Sequence, residues 1–380
     1  MTRKSSLAGF ALLALASALP QPALPAAATH LVMPIVYGTH VPGLGASALK
    51  LAMLVQQSSG GTVALDVKEP GEGTQPQDIL DAVSTGKVDA GFATASFWAA
   101  KLPAAALFAG FPFGPDANTY MAWFASGDGR KLYQQMYDQA GYKVHVMPCA
   151  FGGAETSGWF AKEVSTPEEL KDLRIRMFGL GGRVMSKLGA TTVVMPANSV
   201  AQAFDQHKID AAELLTPAAD KSLRLEEHAK LIYVPGWHQP ETVLELLVNQ
   251  ARWDGLDPAQ QQEIDTACRT LLAASAADSA SLQRQALQEF ASKGVKILTW
   301  PSAMLTAFRS GWRQVANEES DRDLFFAEAS EPSRYRTLSN RIDRKHVQRL
   351  LRAGLVAENP QRLDIRLAAC IFDGGVEVAD

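Results

Sequence analysis

The chain has 380 residues, 47% of them hydrophobic and 20% charged, and a formal net charge of -4 at pH 7. That length buries either one large core or two smaller ones, and two lobes match usual domain sizes better. Dispersed, slightly acidic charge excludes non-specific nucleic-acid binding, which needs a basic field to displace counterions, so any anion site is local.

At the amino terminus Arg3 and Lys4 precede an apolar run from Leu7 to about Leu19, and Ala26-Ala27-Ala28 offers a small-residue cleavage site. Pro20 and Pro22 close the run short of the roughly 20 apolar residues that cross a bilayer. Residues 1–28 therefore read as a signal peptide cleaved near Ala28. No later segment is long and apolar enough to span a membrane. Cys149, Cys268 and Cys370 are too widely spaced for a CxxC motif, and the odd count leaves at least one thiol free. Cys268 lies in helical phase with Ile264 and Leu271, the pattern of a core residue.

The apolar run Leu31–Tyr37, a helical stretch around Ala46–Gln57 closed by Gly60-Gly61, and the alternating Thr62–Val67 give strand, helix, strand, the opening of an α/β fold. Gln77–Thr94 and Val200–Thr216 then share one pattern. In each, a helix carries an alanine, Gly86 or His207 follows four residues later, and a lysine, a β-branched residue and Asp-Ala come next. Each aspartate opens a short buried strand, Val88–Ala93 and Ile209–Leu214, so the two lobes are expected to be built alike. Between the copies, the glycine-containing loop Pro148–Thr156 lets the chain cross from one lobe to the other. Further strands are expected at Leu173–Met177, Thr191–Met195 and Leu231–Val234, separated by helices, an alternation that favours a parallel sheet. Asp257-Pro258 caps a long helix to about Phe290, followed by Val295–Thr299 and a helix from Pro301 to about Glu318. Asn340–Arg352 carries Arg341, Arg344, Lys345, Arg349 and Arg352 around Ile342, Leu350 and Leu351, which reads as a solvated amphipathic helix.

In Leu173–Met177, Arg174 and Arg176 share the polar face, and Arg176 emerges where the strand ends before Gly179. Ligands of open α/β sheets collect at that carboxyl edge, and a guanidinium there grips a carboxylate with two parallel hydrogen bonds. Gly179, Gly181 and Gly182 lack the spacing of a dinucleotide fingerprint, and no acidic residue follows where a ribose contact belongs. Glu155 lies in the crossing loop and Glu213 at the end of a strand with apolar neighbours. A carboxylate in such surroundings needs a cation or hydrogen bonds.

The run from Gly158 to Pro240 resembles the solute-binding proteins of tripartite ATP-independent periplasmic (TRAP) transporters, in particular the branch that binds 2-oxo acids. The likeness rests on Gly158-Trp159-Phe160, Leu173–Gly182, Leu188-Gly189-Ala190-Thr191, Ile209-Asp210-Ala211-Ala212-Glu213 and Tyr233-Val234-Pro235-Gly236-Trp237-His238. Upstream, Ala93-Thr94-Ala95-Ser96-Phe97-Trp98, Lys101, Pro112-Phe113-Gly114 and Ala122-Trp123 fit the same branch, so the resemblance spans roughly residues 45–340.

The resemblance implies a two-lobed α/β periplasmic binding protein with a cleft and a long hinge-spanning helix. Lobe I is expected over 29–152, lobe II over 153–250, a long helix and returning segments shared between lobes over 251–340, and a carboxy-terminal extension without assigned role over 341–380. It implies a periplasmic receptor that delivers a small carboxylate, such as pyruvate, to the small and large membrane subunits, with a sodium or calcium ion bound beside the ligand. Arg176 falls on the carboxylate-binding arginine, and Glu155, Glu213 and the Leu214 carbonyl fall on the ligands of the ion. Trp159, Phe97 and Trp98 resemble pocket walls, and Gln239 a polar ligand contact. Two positions depart from the family: Glu155 stands for a glutamine, and Leu214 for a tryptophan. Some members of the branch form dimers by exchanging a carboxy-terminal helix, a role open to Asp321–Arg352. Two other classes remain open on the residues alone: an exported hydrolase using Glu155 and Glu213 as an acid and base pair, and a non-transport binding module with an altered pocket.

Overall fold

The structure is a computed structural model and describes residues 28–330. Residues 1–27 of the expected signal peptide, the basic stretch Asn340–Arg352, Cys370 and the extension 341–380 lie outside the described residues.

Two lobes of α/β structure are built around separate sheets, as the sequence implies. In lobe I, β1 (Thr29–Pro34) pairs in parallel with β2 (Val63–Lys68), and β3 (Ala90–Ala93) and β4 (Val144–Phe151) flank an antiparallel central strand. Lobe II holds β5 (Gly158–Phe160), β6 (Arg174–Arg176), β7 (Thr191–Val193), β8 (Ala211–Ala212) and β9 (Leu231–Tyr233). The central strand of lobe I is β10 (Val243–Asn249), and β11 (Lys296–Leu298) completes a six-stranded sheet in lobe II of order β11-β9-β5-β8-β6-β7.

Two expectations are corrected. Residues 243–249, assigned to lobe II by position in the chain, form the centre of the lobe I sheet, where all seven are buried. The second sheet is mixed rather than parallel. Strands β6, β7 and β8 run parallel to one another and β9 runs parallel to β11, but β5 is antiparallel to both β8 and β9. It is the strand by which the chain enters lobe II, so no helical crossover fixes its direction. Gly158 permits its close approach: at φ +121°, an added Cβ would lie 2.8 Å from the Ala212 carbonyl oxygen.

The repeated pattern is a structural repeat. Helices Ile79–Ser84 and Val200–Asp205 each turn at a left-handed residue, Gly86 at φ 74° and His207 at φ 51°, into β3 and β8. The aspartates also play the same part. Asp89 accepts a hydrogen bond from the Val32 amide of β1 (2.9 Å), and Asp210 accepts one from the Arg174 amide of β6 (3.0 Å). Each fixes a neighbouring strand.

Asp257 caps the long helix Pro258–Ser292 through a reciprocal pair with Gln260 (2.9 and 3.2 Å). This helix belongs to both lobes. Ile264, Cys268 and Leu271 pack with Met33, Leu51 and Leu246 in lobe I, whereas Phe290 packs with Trp159 and Ile232 in lobe II. Cys268 is joined to Cys149 of β4 by a disulfide across a sequence separation of 119 residues. Closing so long a loop stabilises by roughly 4–5 kcal/mol in the chain-entropy account. The apolar phase of Cys268 was visible in the sequence; its partner was not. The expected exchange segment Asp321–Arg352 is described only to residue 330, and its short helix Leu324–Ala329 packs Phe326 and Ala329 into the chain's own lobe I core.

On β10, Glu245 lies on the face of Val243 and Leu247, inside the aromatic cluster of Trp98, Tyr133 and Tyr137. The Tyr137 hydroxyl donates to both of its oxygens (2.9 and 3.0 Å). Burial pushes the carboxyl up from 4.5 to about 7, against those hydrogen bonds. Between these pH values the fold keeps a proton that the unfolded chain releases. The stabilisation is complete below about pH 4.5 and is lost as pH rises through 7. Glu245→Gln keeps an acceptor for Tyr137 and removes the proton. Its denaturant-derived stability should therefore fall less steeply than wild type between pH 5 and 7, by about 1.4 kcal/mol per pH unit; parallel profiles would refute the assignment.

Candidate functional site

Arg176 ends β6, Glu213 follows β8 directly, and Glu155 and the 234–239 loop lie in two segments that cross between the lobes. The main chain zips these segments together. The Glu213 amide donates to the Arg176 carbonyl (2.9 Å), the Gly236 amide to the Glu155 carbonyl (2.7 Å) and the Glu155 amide to the Gln239 carbonyl (3.1 Å).

Their side chains converge in one shut chamber, with Glu155, Arg176, Glu213 and His238 all between 5% and 7% exposed. His238 Nε2 is 3.1 Å from Glu155 Oε2 and 3.6 Å from Glu213 Oε1. Gln239 Nε2 donates to Glu155 Oε1 (2.7 Å) and to Thr242 Oγ1 (3.0 Å). Arg176 Nη1 donates to the Glu213 carbonyl and lies 3.7 Å from Glu213 Oε2, while Nε donates to the Met195 carbonyl (3.3 Å). The Phe178 ring covers the guanidinium at 4.5 Å. Nη2 carries no hydrogen bond to the described residues, which leaves one edge of the fork for an anion.

Burial and pairing divide the charges unevenly. Burial, reinforced by Glu213, lifts Glu155 from 4.5 to about 7, with His238 opposing. Burial acts the same way on Glu213, but His238 and Arg176 outweigh it and its pKa falls. His238 rises to about 9: burial disfavours the imidazolium, and the two glutamates more than compensate. Burial draws Arg176 down while Glu213, Glu155 and Asp220 hold it charged.

Arg176, Glu155, Glu213 and Gln239 thus come together, and the Leu214 backbone follows Glu213 directly. Phe97 stands in lobe I, edge-on to Tyr37 at 5.6 Å. The two expected tryptophan walls are turned inward. Trp98 donates to Tyr137 in the lobe I core (2.6 Å), and Trp159 lies between Phe290 and Asp220, donating to the latter (2.9 Å). Both are fully buried because each occupies the core face of its segment.

Three participants escaped the sequence analysis. His238 stood inside the quoted run beside Gln239 but had no role assigned to it. Tyr37 ends the first apolar run, at the strand edge where ligands collect. Burial, with the charges of Glu155 and Glu213, pushes its phenol well up, which places it in the field of the chamber. Asp220 is wholly buried and accepts from Trp159, the Leu215 amide (3.2 Å) and Thr156 Oγ1 (3.4 Å). Burial raises its carboxyl well above the usual range, Trp159 opposing and the two glutamates adding.

Glu155, Glu213 and His238 each offer a ligand atom, all within 4.8 Å of one another, the one such cluster of three among the described residues. Two facing carboxylates form an oxygen-rich set suited to a hard cation. His238 Nδ1 is buried without a partner, so the chamber's polar groups are incompletely satisfied by the protein itself.

Residues 40–322 match the model of the bacterial extracellular solute-binding proteins, family 7 (DctP). A monocarboxylate 2-oxoacid-binding periplasmic protein of Nostoc sp. is 31% identical over 281 residues, 74% of this chain and 77% of that one. A TRAP periplasmic solute-binding protein of Pseudoalteromonas atlantica, solved with sodium and pyruvate, is 26% identical with a TM-score of 0.74 and covers 86% of this chain and 98% of its own. Its counterpart from Colwellia psychrerythraea, solved with calcium and pyruvate, is 25% identical with a TM-score of 0.76, over 85% and 99%. With a matching fold, a converging acid and arginine chamber and this family match, the chain belongs to the DctP family of extracellular solute-binding proteins.

Proposed function

We propose that this protein is the periplasmic receptor of a TRAP transporter, capturing a small 2-oxo monocarboxylate such as pyruvate with a metal ion and delivering it to the membrane subunits. The observation that carries this reading is the buried Arg176 fork beside Glu155 and Glu213. The relatives solved with pyruvate and either sodium or calcium support the ligand and the ion. No described helix is long and apolar enough to cross a membrane. Residues 1–28 act as the export signal in this reading.

The Nη2 edge of Arg176 takes the ligand carboxylate in charge-assisted hydrogen bonds. Glu155, Glu213 and the Leu214 carbonyl would hold the ion, which would supply positive charge beside the ligand. Gln239 fixes the second oxygen of Glu155, and Tyr37 and Phe97 close the chamber from lobe I. A divalent ion together with Arg176 balances the charges of the two glutamates and the ligand, with His238 neutral, whereas a monovalent ion leaves one negative charge for His238 to meet. Two carboxylates close around one ion suit the harder, more highly charged calcium better than sodium.

A hydrolase fits less well. The family is one of binding proteins, and the His238 imidazole sits between the two acids, where a glycosidase keeps its substrate and water.

Arg176→Ala should weaken pyruvate binding by at least about 2 kcal/mol in calorimetry with calcium present, because a buried anion loses its partner. Unchanged affinity would remove Arg176 from the site. Glu155→Gln should lower calcium-supported pyruvate affinity at least about tenfold and spare sodium-supported binding, since only the divalent ion needs the extra charge. Equal losses in the two salts would refute the charge argument.

A further inference from the structure

The chamber is nearly closed to solvent, so a ligand enters only if the lobes part. Four stretches of the described chain cross between the lobes, one of them the return to Phe326 and Ala329 in the lobe I core. Two others, 152–157 and 234–242, are laced to each other: the Gly152 amide donates to the Thr242 carbonyl (2.8 Å), and the Gly153 amide to Glu241 Oε1 (2.7 Å). The fourth is the long helix, whose two halves belong to different cores.

Gln283 stands on that helix between the two halves, 8% exposed. Its Nε2 donates to the Gly152 carbonyl, where the chain leaves lobe I (3.0 Å), and its Oε1 accepts from the Ala218 amide (2.8 Å), in a segment that follows β8 of lobe II and packs Ala219 into the lobe I core. Both partners are backbone groups, a carbonyl that only accepts and an amide that only donates, so the orientation of the side-chain amide is fixed. Ala218 lies in the first turn of the short helix Pro217–Asp220, where amides have no partner within the helix. That helix carries Asp220, which holds Trp159 and the Leu215 amide beside Glu213 and Leu214. Gly153, at φ +97°, lies flat against the same side chain: an added Cβ would sit 3.2 Å from Gln283 Cγ and 3.4 Å from Ser279 Cβ.

We infer that Gln283 is a positioning residue for ligand capture, one amide that ties the lobe I exit of the crossing strand to the Leu214–Asp220 segment, which runs from the lobe II sheet to the lobe I core. With both bonds made, the lobes are held shut and the Leu214–Asp220 segment is set for the ion and ligand. Without them the shut arrangement loses its link through the helix. The inference rests on the receptor reading only in that closure serves capture; the link itself is a property of the chain.

The test uses full-length protein with Cys370→Ser and spin labels at Lys131→Cys and Lys208→Cys, exposed positions in lobes I and II. In the absence of ligand, Gln283→Leu should move the interlobe distance distribution towards longer separations than wild type. With calcium and pyruvate it should weaken binding about tenfold through faster dissociation, because the shut state is less populated. Leu271→Ala, which hollows the lobe I core under the long helix but touches neither hydrogen bond of Gln283, should keep wild-type distances while losing stability. Gln283→Glu keeps the acceptor for Ala218 and loses the donor to Gly152; it should show the same shift should the leucine variant fail to fold. Superimposable distributions for wild type and both Gln283 variants, or an equal shift in Leu271→Ala, would overturn the assignment. An opened Gln283→Leu with no pyruvate binding by wild type would uphold the link and reject the ligand.

Discussion

Two carboxylates, Glu155 and Glu213, are buried side by side, and the chamber is organised around meeting their charge. Away from water such a pair cannot stay ionised without cations close by. Arg176 and His238 supply them from within the protein, at 3.7 Å from Glu213 and 3.1 Å from Glu155. In the proposed function a divalent ion and a ligand carboxylate, entering as His238 gives up its proton, leave the chamber without net charge.

The fold brings the four groups together by where its strands end. Arg176 and Glu213 come from the carboxyl ends of β6 and β8, which run parallel, and Glu155 and His238 come from two of the stretches of chain that cross between lobes. Because the crossings carry site residues, a movement of one lobe against the other changes the chamber itself. The long helix shares in that movement. Its lobe I half is tied to β4 by the Cys149–Cys268 disulfide, and its lobe II half packs Phe290 against Trp159.

Much of this was legible in the sequence, for identifiable reasons. Arg176 could be placed because strand alternation and the following glycine put it at a sheet edge, and the likeness of the two helix-to-strand junctions came through because a left-handed turn and a strand-fixing aspartate admit few residue types. The membership of β10 in lobe I could not be read, since a buried apolar strand pairs equally well with either sheet and only tertiary contact decides. The inward turn of Trp98 and Trp159 was hidden for a related reason: an aromatic beside a ligand loop lines a cleft or fills a core depending on a single face of the strand. His238 was missed because a histidine next to a known contact has no spacing signal of its own. Its part shows only when the two glutamates are seen around it.

The central claim is that the buried acids are built to hold an ion that completes the binding site for a small carboxylate. Calorimetric titration of the wild-type protein with pyruvate, once with calcium and once after exhaustive treatment with a chelator, addresses it most directly. Saturable one-to-one binding with calcium and a loss of at least about tenfold after chelation is the result expected of a shared ion. Equal binding in both conditions, or none in either, would contradict it.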